Sequence, residues 1–317
     1  MAIAVQAPFN TTPAYSGTFI PALWSGKLNV KFYTATVFGE IANTNYEGEI
    51  KSMGDTIRIN NIPTVLIQNY TVGMNLTYQV PTPSTVDLNI DQGKYFSFQV
   101  NDVLEYQAKP NLMSTFSDDA GKQMGIAIDR DVMLSQFNNA AAPNKGATAG
   151  IISGSYNLGT DTAPVTLTAA NVIPLVTMLS SVLDEQNVPD TDRHLVISPY
   201  FRQWLMSSPL AQAYVTGDSQ SILRNGKIGT IDRFTIYVSN QLPQAAAGQD
   251  FLGNAAAGTA KRTAIIAGHK SAITFAAQMT KMEELPNPTD FGRLVRGLNI
   301  YGRQTIKPEG AALALIN

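Results

Sequence analysis

Between residues 106 and 139, apolar side chains recur every four positions. Leu112, Phe116, Ala120, Met124, Ile128 and Val132 form the stripe, and Met113, Ala127 and Leu134 widen it. That period predicts one helix over 106–139. Pro110 suits its first turn, where the missing N–H costs nothing. Asn138 and Asn139, followed by Pro143 and Gly146, mark the stop. About 28 residues at 1.5 Å each make a rod of roughly 40 Å, more than twice the common helix length. Asp118, Asp119, Lys122, Gln123, Asp129 and Arg130 lie off the stripe. They read as a solvated face, with Arg130 a partner for the aspartates. Gly121 and Gly125 each cost up to about 1 kcal/mol of helix propensity, so their spacing predicts close approach of the chain's own sheet.

The period changes to two at 55–66, where Ile57 and Ile59 alternate with Thr56, Arg58 and Asn60. This predicts a strand. A second set follows at Val86, Leu88 and Ile90, then Phe96, Phe98 and Val100, with Gly93 expected to mark a bulge or bend. With 68–83 between them, the two sets read as a long two-stranded finger with a bent tip. Between Arg58 and Lys94 the only charges are Asp87 and Asp91. An isolated hairpin is marginal in water, and one carrying Val65, Ile67, Tyr70, Met74, Leu76 and Tyr78 is sticky. The finger should therefore rest on another surface, and its length favours a neighbouring molecule.

The first charge in the chain is Lys27. Pro8, Pro13 and Pro21 exclude a long helix before it, and no secretory signal is present. Phe9, Tyr15, Phe19 and Ile20 suggest a neutral, extended arm docked on a partner, because disordered tails are poor in such residues. A short amphipathic helix is expected over 21–35. Downstream, 145–164 reads as a loop. Helix 168–187 has Thr168 as N-cap, strand 194–197 follows, and Ser198-Pro199 opens another helix, a device repeated at Ser208-Pro209. A strand–turn–strand at 226–238, an Ala- and Gly-rich loop at 243–260 and a strand at 263–267 complete a compact α/β region. Two further strands surround the Pro286-Asn287-Pro288 turn.

Composition narrows the possibilities. The chain has 317 residues, no cysteine and a net charge of −2. Disulfides, thiolate metal sites and thiol nucleophiles are excluded, and a direct grip on nucleic acid is disfavoured. Only 15% of residues are charged, against about 25% in ordinary soluble domains. No apolar run is long enough to span a bilayer. Sparse charge without a membrane segment points to surface buried against other chains. The chemistry-bearing residues do not assemble into a motif. His194, after Asp190 and Asp192, lacks further converging ligands and reads as part of a solvated loop. His269 has no acidic neighbour to orient it. Asp118 and Asp119 point about 100° apart on a helix and form no acid/base dyad. Phosphate-loop, dinucleotide and nucleophile-elbow patterns are missing.

Several stretches, in this order, resemble the major capsid proteins of tailed double-stranded DNA bacteriophages. They are 20–24 (IPALW), 46–50 (YEGEI) leading to 54–59 (GDTIRI), 91–98 (DQGKYFSF), Ser198-Pro199, 229–234 (GTIDRF), Phe291-Gly292 and 300–302 (IYG). The resemblance implies an α+β fold: an N-terminal arm with a short helix (1–45), an E-loop hairpin with flanking strands (46–104), a P-domain on a long spine helix (105–164), an α/β A-domain (165–268) and P-domain return strands (269–317). It implies a non-enzymatic shell protein without cofactors, self-assembling through hexamers and pentamers into an icosahedral head in the virion. Its expected partners are further copies, a scaffolding protein, a portal protein, a decoration protein and packaged double-stranded DNA held without sequence recognition. The chain starts almost at the arm, so the scaffolding protein is expected to be separate. Relatives that cross-link through an E-loop lysine differ here, since no lysine lies between Lys51 and Lys94. Phe9, Tyr15, Arg58, Tyr70, Met74, Leu76, Tyr78 and Lys94 are the expected inter-subunit contacts. The alternatives are a nanocompartment shell or, from a different class, a soluble enzyme.

Overall fold

The computed structural model describes residues 36–45, 56–63, 65–101, 112–208, 229–255, 260–288 and 290–317. The arm with Phe9 and Tyr15, the helix expected at 21–35, the 46–50 motif, the first turn of the long helix and Pro209 lie outside these residues. In chain order the elements are α1 (Phe38–Ile41), β1 (Thr56–Asn61), β2 (Ser84–Asn89), β3 (Gln92–Asn101), α2 (Leu112–Asn139), α3 (Val172–Glu185), β4 (Arg193–Ile197), α4 (Pro199–Ser207), β5 (Thr230–Ile231), β6 (Phe234–Val238), β7 (Gln244–Ala245), β8 (Arg262–His269), β9 (Ile273–Pro286), β10 (Gly292–Thr305) and β11 (Ala311–Ile316).

The main core surrounds a six-stranded sheet in the order β11-β8-β4-β6-β5, with β7 also on β8. Only β4 and β6 run parallel. Val172, Leu175, Val176, Leu179, Val182 and Leu183 of α3 are buried against it, the stripe that the sequence period predicts. The helix starts later than expected because Thr168 and Asn171 first close a turn on each other, Thr168 N donating to Asn171 Oδ1 at 2.7 Å and Asn171 N to Thr168 Oγ1 at 3.3 Å. Ser198 does cap α4, accepting from Phe201 N at 3.2 Å with Pro199 in the first turn. β5 and β6 turn through Asp232 and Arg233, both at positive φ, as a two-residue hairpin of this twist requires. β11, the last strand, lies beside β8, away from β9 and β10.

The solvated loop expected around His194 ends at Asp192, where Asp190 and Asp192 are exposed. Arg193 and His194 are buried in β4. Arg193 is held by Asp184 at 2.6 Å and donates to the carbonyls of Val188 and Pro189, so its charge is paired where burial would otherwise be costly. Burial, with His269 and Lys270 nearby, pushes His194 down to about 3, and it stays neutral.

The second sheet has three strands, β3-β10-β9, and β10 and β9 are each 14 residues long. α2 lies against it, with Phe116 edge-on to Phe98 at 5.9 Å. Gly93 is no bulge: it pairs with Ile300 in regular register. The bulge lies opposite, on β9, where the register shifts between Ile300 and Tyr301. α2 ends at Asn139 as the stop signal predicts. Its two halves differ. From Ile128 onward Ile128, Val132, Met133 and Gln136 are buried, whereas from 113 to 127 no residue is. Asp129 is buried, and Asp131 is half-buried in an ion pair with Arg303, so the expected solvated face does not extend to them. Neither glycine admits the sheet: Gly125 faces Thr36 Cγ2 at 3.6 Å, and Gly121 faces open space.

β1 and β2 form a separate antiparallel pair, so the alternation at 86–100 feeds two different sheets. Ile59 and Leu88 pack on Ala276 and Ile306, with Ile57 and Ile90 alongside. The hairpin crosses β10 at Gly302, where an added Cβ would run into the Asn89 carbonyl and stand 2.7 Å from Ile90 Cδ1. Gly302→Ala should therefore lower stability by about 1–3 kcal/mol through overpacking, read as a lower denaturation midpoint with an unchanged m-value.

Candidate functional site

The finger projects from this fixed root. Residues 62–83 contain Pro63, Pro81 and Pro83, which lack the N–H a ladder needs. The backbone pairing accordingly stops at Asn61 and Ser84. The register nevertheless continues. Gln79 spans the gap with its side chain, accepting from Leu66 N at 3.1 Å and donating to Leu66 O at 2.9 Å. Thr77 donates to Gln68 across the next pair at 3.0 Å. The tip is a turn from Thr71 to Met74, closed by Met74 N on Thr71 O at 3.2 Å, with Gly73 at φ 89°, the conformation a type II turn requires at that place. The expected bent, two-stranded finger exists, with amide side chains replacing strand hydrogen bonds beyond Asn61.

Among the described residues nothing covers the finger's apolar surface. Ile62, Ile67 and Val72 are each at least 94% exposed, and Val65, Leu66, Tyr70, Leu76, Tyr78 and Val80 are also open. Tyr70, Met74, Leu76 and Tyr78 come together and line one shallow hollow of about 310 Å³. Met74 is the least exposed of them, its sulfur accepting from Thr71 N at 3.2 Å. Arg58 stands at the root in a cross-strand pair with Asp87 at 3.1 Å, largely solvated, where such a pair contributes little. Lys94 lies elsewhere. It is half-buried on β3 and lines a polar groove of about 720 Å³ with Gln123, Arg130 and Asp131 of α2 and Gln249 and Phe251 of the loop opposite.

Residues 84–313, more than two thirds of the chain, match the family model described as phage capsid protein. The chain belongs to the phage capsid family. It is a shell protein of the virion. Its fold is similar to that of a structure from Mycobacterium phage Che8, with TM-score 0.74 and 24% identity over 95% of this chain and 97% of that one. The capsid of the cyanophage P-SCSP1u gives 0.71 and 17% over 94% and 93%. The mature capsid of bacteriophage PhiM1 gives 0.68 and 16% over 94% and 92%. At these identities the likeness is one of fold. No curated protein sequence matches.

Within this capsid protein one joint escaped the sequence reading. Arg303 of β10 holds Asp131 of α2 through two hydrogen bonds at 2.5 and 2.9 Å, and the Tyr301 hydroxyl donates to the same carboxylate at 2.9 Å. These groups fasten the long helix to the long sheet. Burial works to raise the Asp131 carboxyl, but the Arg303 and Tyr301 hydrogen bonds and the Arg303 charge outweigh it and hold the group below its ordinary 3.8. Tyr301 is pushed up by its burial and by Asp131. The sequence offered no signal for this pairing, because the partners are about 170 residues apart.

Among the described residues no group of three or more His, Asp or Glu side chains is placed to hold a metal ion. Among the described residues the His269 ring bonds within its own turn, Nδ1 to Ser271 Oγ at 2.8 Å and Ser271 N to Nδ1 at 3.1 Å.

The Asp131 joint has a definite pH signature. A carboxyl held below its unfolded value contributes stability above that value and loses it as pH falls through the folded one. Asp131→Asn leaves Arg303 unpaired and should cost about 3 kcal/mol at pH 7. The gap between variant and wild type should narrow as pH falls from 5 towards 3, measured by denaturant unfolding across that range.

Proposed function

We propose that this protein is the major, self-assembling subunit of an icosahedral phage head, built through hexamers and pentamers around double-stranded DNA. The observation that carries the reading is the finger: a rooted hairpin with an uncovered apolar surface and a backbone ladder that stops at its base. In the assembled head each finger lies over the adjacent subunit. Tyr70, Met74, Leu76 and Tyr78 make the contact, flanked by Arg58 at the root and by Lys94 beside the long helix. Phe9 and Tyr15 of the arm make further contacts across capsomer boundaries. Head-to-tail contacts of this kind close into rings. The exposed 113–127 half of α2 offers such a neighbour a second surface. The work of the molecule is packing, with no catalytic residue. A separate scaffolding protein, a portal protein and a decoration protein are its partners in the head. A net charge of −2 suits a container wall, since a strongly basic one would grip the packed genome.

Electron microscopy of the purified protein, with and without its scaffolding partner, tests the reading. Uniform shells or rings of five and six are expected, and a dispersed monomer under all conditions contradicts it. Leu76→Asp should abolish those particles while changing subunit stability by no more than about 0.5 kcal/mol, because the side chain is already solvated. Loss of the circular dichroism spectrum in that variant would instead make the finger part of the subunit's own core.

A further inference from the structure

Asp129 is a buried group that the packing of the long helix does not require. It is fully buried on α2, and its Oδ1 accepts from Val37 N at 3.0 Å and Phe38 N at 2.8 Å. Those are the first two donors at the start of α1, where helices leave N–H groups unmet. Val37 occupies the cap position and its side chain makes no cap hydrogen bond; the Asp129 carboxylate, from another helix, accepts instead from the N–H groups of the cap residue and of the first helical residue. Asp129 Oδ2 is buried without a hydrogen-bond partner among the described residues. Burial raises this carboxyl, outweighing the two N–H groups that favour its charged form. Apolar packing would fill this space at less cost. What the carboxylate provides instead is a fixed direction for the backbone it holds.

The rest of 36–43 is clamped as well. Thr36 meets Gly125 on α2. The Phe38 ring lies 5.1 Å from Phe275, and Ala42 joins Ile128, Val132 and Tyr301 in one apolar cluster. Asn43 N donates to Ile273 O at 2.9 Å, and Phe275 N donates to Asn43 O at 3.0 Å. The segment is thus tied to α2 at its start and to β9 at its end. Thirty-five residues precede it, a length that can reach at most roughly 120 Å.

We propose that Asp129 is a positioning residue for assembly: it fixes the place and direction of 36–43, the segment through which the arm contacts proposed above join the subunit. This rests on the shell reading above. A Cβ added at Gly125 would stand 3.6 Å from Thr36 Cγ2, an ordinary contact, so only a larger side chain there would crowd the segment.

The test compares full-length wild type with D129A, D129N and G125L by hydrogen–deuterium exchange of the free subunit and by electron microscopy after assembly. D129A should speed exchange across 36–43 at least tenfold while β8 and β11 keep wild-type protection, and should give irregular or open particles. D129N retains an acceptor at Oδ1 and should restore both slow exchange and uniform shells. G125L crowds Thr36 without touching the carboxylate. It should reproduce the D129A pattern, which keeps the test decisive if D129A itself fails to fold. Wild-type exchange at 36–43 in D129A and G125L would overturn the proposal, as would uniform shells built from subunits loosened there. A D129N variant as defective as D129A would overturn the acceptor role. If wild type forms no particles, the shell reading fails on its own, while exchange at 36–43 still decides whether Asp129 holds the segment.

Discussion

Among the described residues, the finger's apolar side chains find no partner surface to pack on. Between Ile62 and Val80, nine large apolar side chains are more than half exposed. Covering a single side chain of this kind is worth about 1.5–3 kcal/mol, so the free subunit leaves a large stabilisation unrealised. Three prolines stop the backbone ladder at the finger's base, and the chain cannot fold the segment into a self-sufficient sheet. At the root the opposite holds. Ile59 and Leu88 are seated on Ala276 and Ile306, and the crossing at Gly302 leaves no space for adjustment. A firmly seated base beneath an unsheltered tip presents the apolar surface in a set direction, which a contact repeated identically between many copies requires.

Charge is distributed to match. The buried or half-buried ion pairs sit at joints within the subunit: Asp131 with Arg303 between helix and sheet, Asp184 with Arg193 at the entry to β4, Asp161 with Arg262 on β8. Among the exposed pairs, Arg293 with Glu284 and Arg296 with Glu283 lie on the β9–β10 hairpin, Arg58 with Asp87 at the finger's root, and Arg233 with Asp184 near β4. Between Arg58 and Asp87 the finger has no charge at all. A surface that must meet further copies of the same chain gains from this, because like charges brought together would cost several kcal/mol. The halves of α2 follow the same division. Its C-terminal half is fixed in the subunit's interior, whereas from 113 to 127 no residue is fully buried.

Much of this was legible in the chain itself. The four-residue period located α2 and its stop at Asn139, and the alternation around Ile57 and Leu88 located the root of the finger. Ser198-Pro199 predicted a cap that forms as expected. What local pattern could not reveal was pairing at long range. Asp129 and Asp131 look like solvated helix charges because their partners, the Val37 and Phe38 amides and Arg303, lie some 90 and 170 residues away. The alternation at 86–100 looks like one strand because nothing in its period records that Leu88 and Phe98 serve different sheets. Gly93 invited the assignment of a bulge that β9 carries instead. Of the side chains expected at an interface, Tyr70, Leu76 and Tyr78 are exposed, Lys94 is half-buried, and Phe9 and Tyr15 lie outside the described residues. On the proposed reading the surface that covers these side chains belongs to another copy, whose geometry is not encoded in the local pattern.

The most direct test of the central claim is hydrogen–deuterium exchange measured peptide by peptide on the free subunit and on the assembled particle. If sister copies cover the finger, amides in 65–80 and in the 113–127 half of α2 should exchange rapidly in the first and become strongly protected in the second, with β4, β8 and β11 slow in both. Equal exchange of 65–80 in the two states would contradict the account.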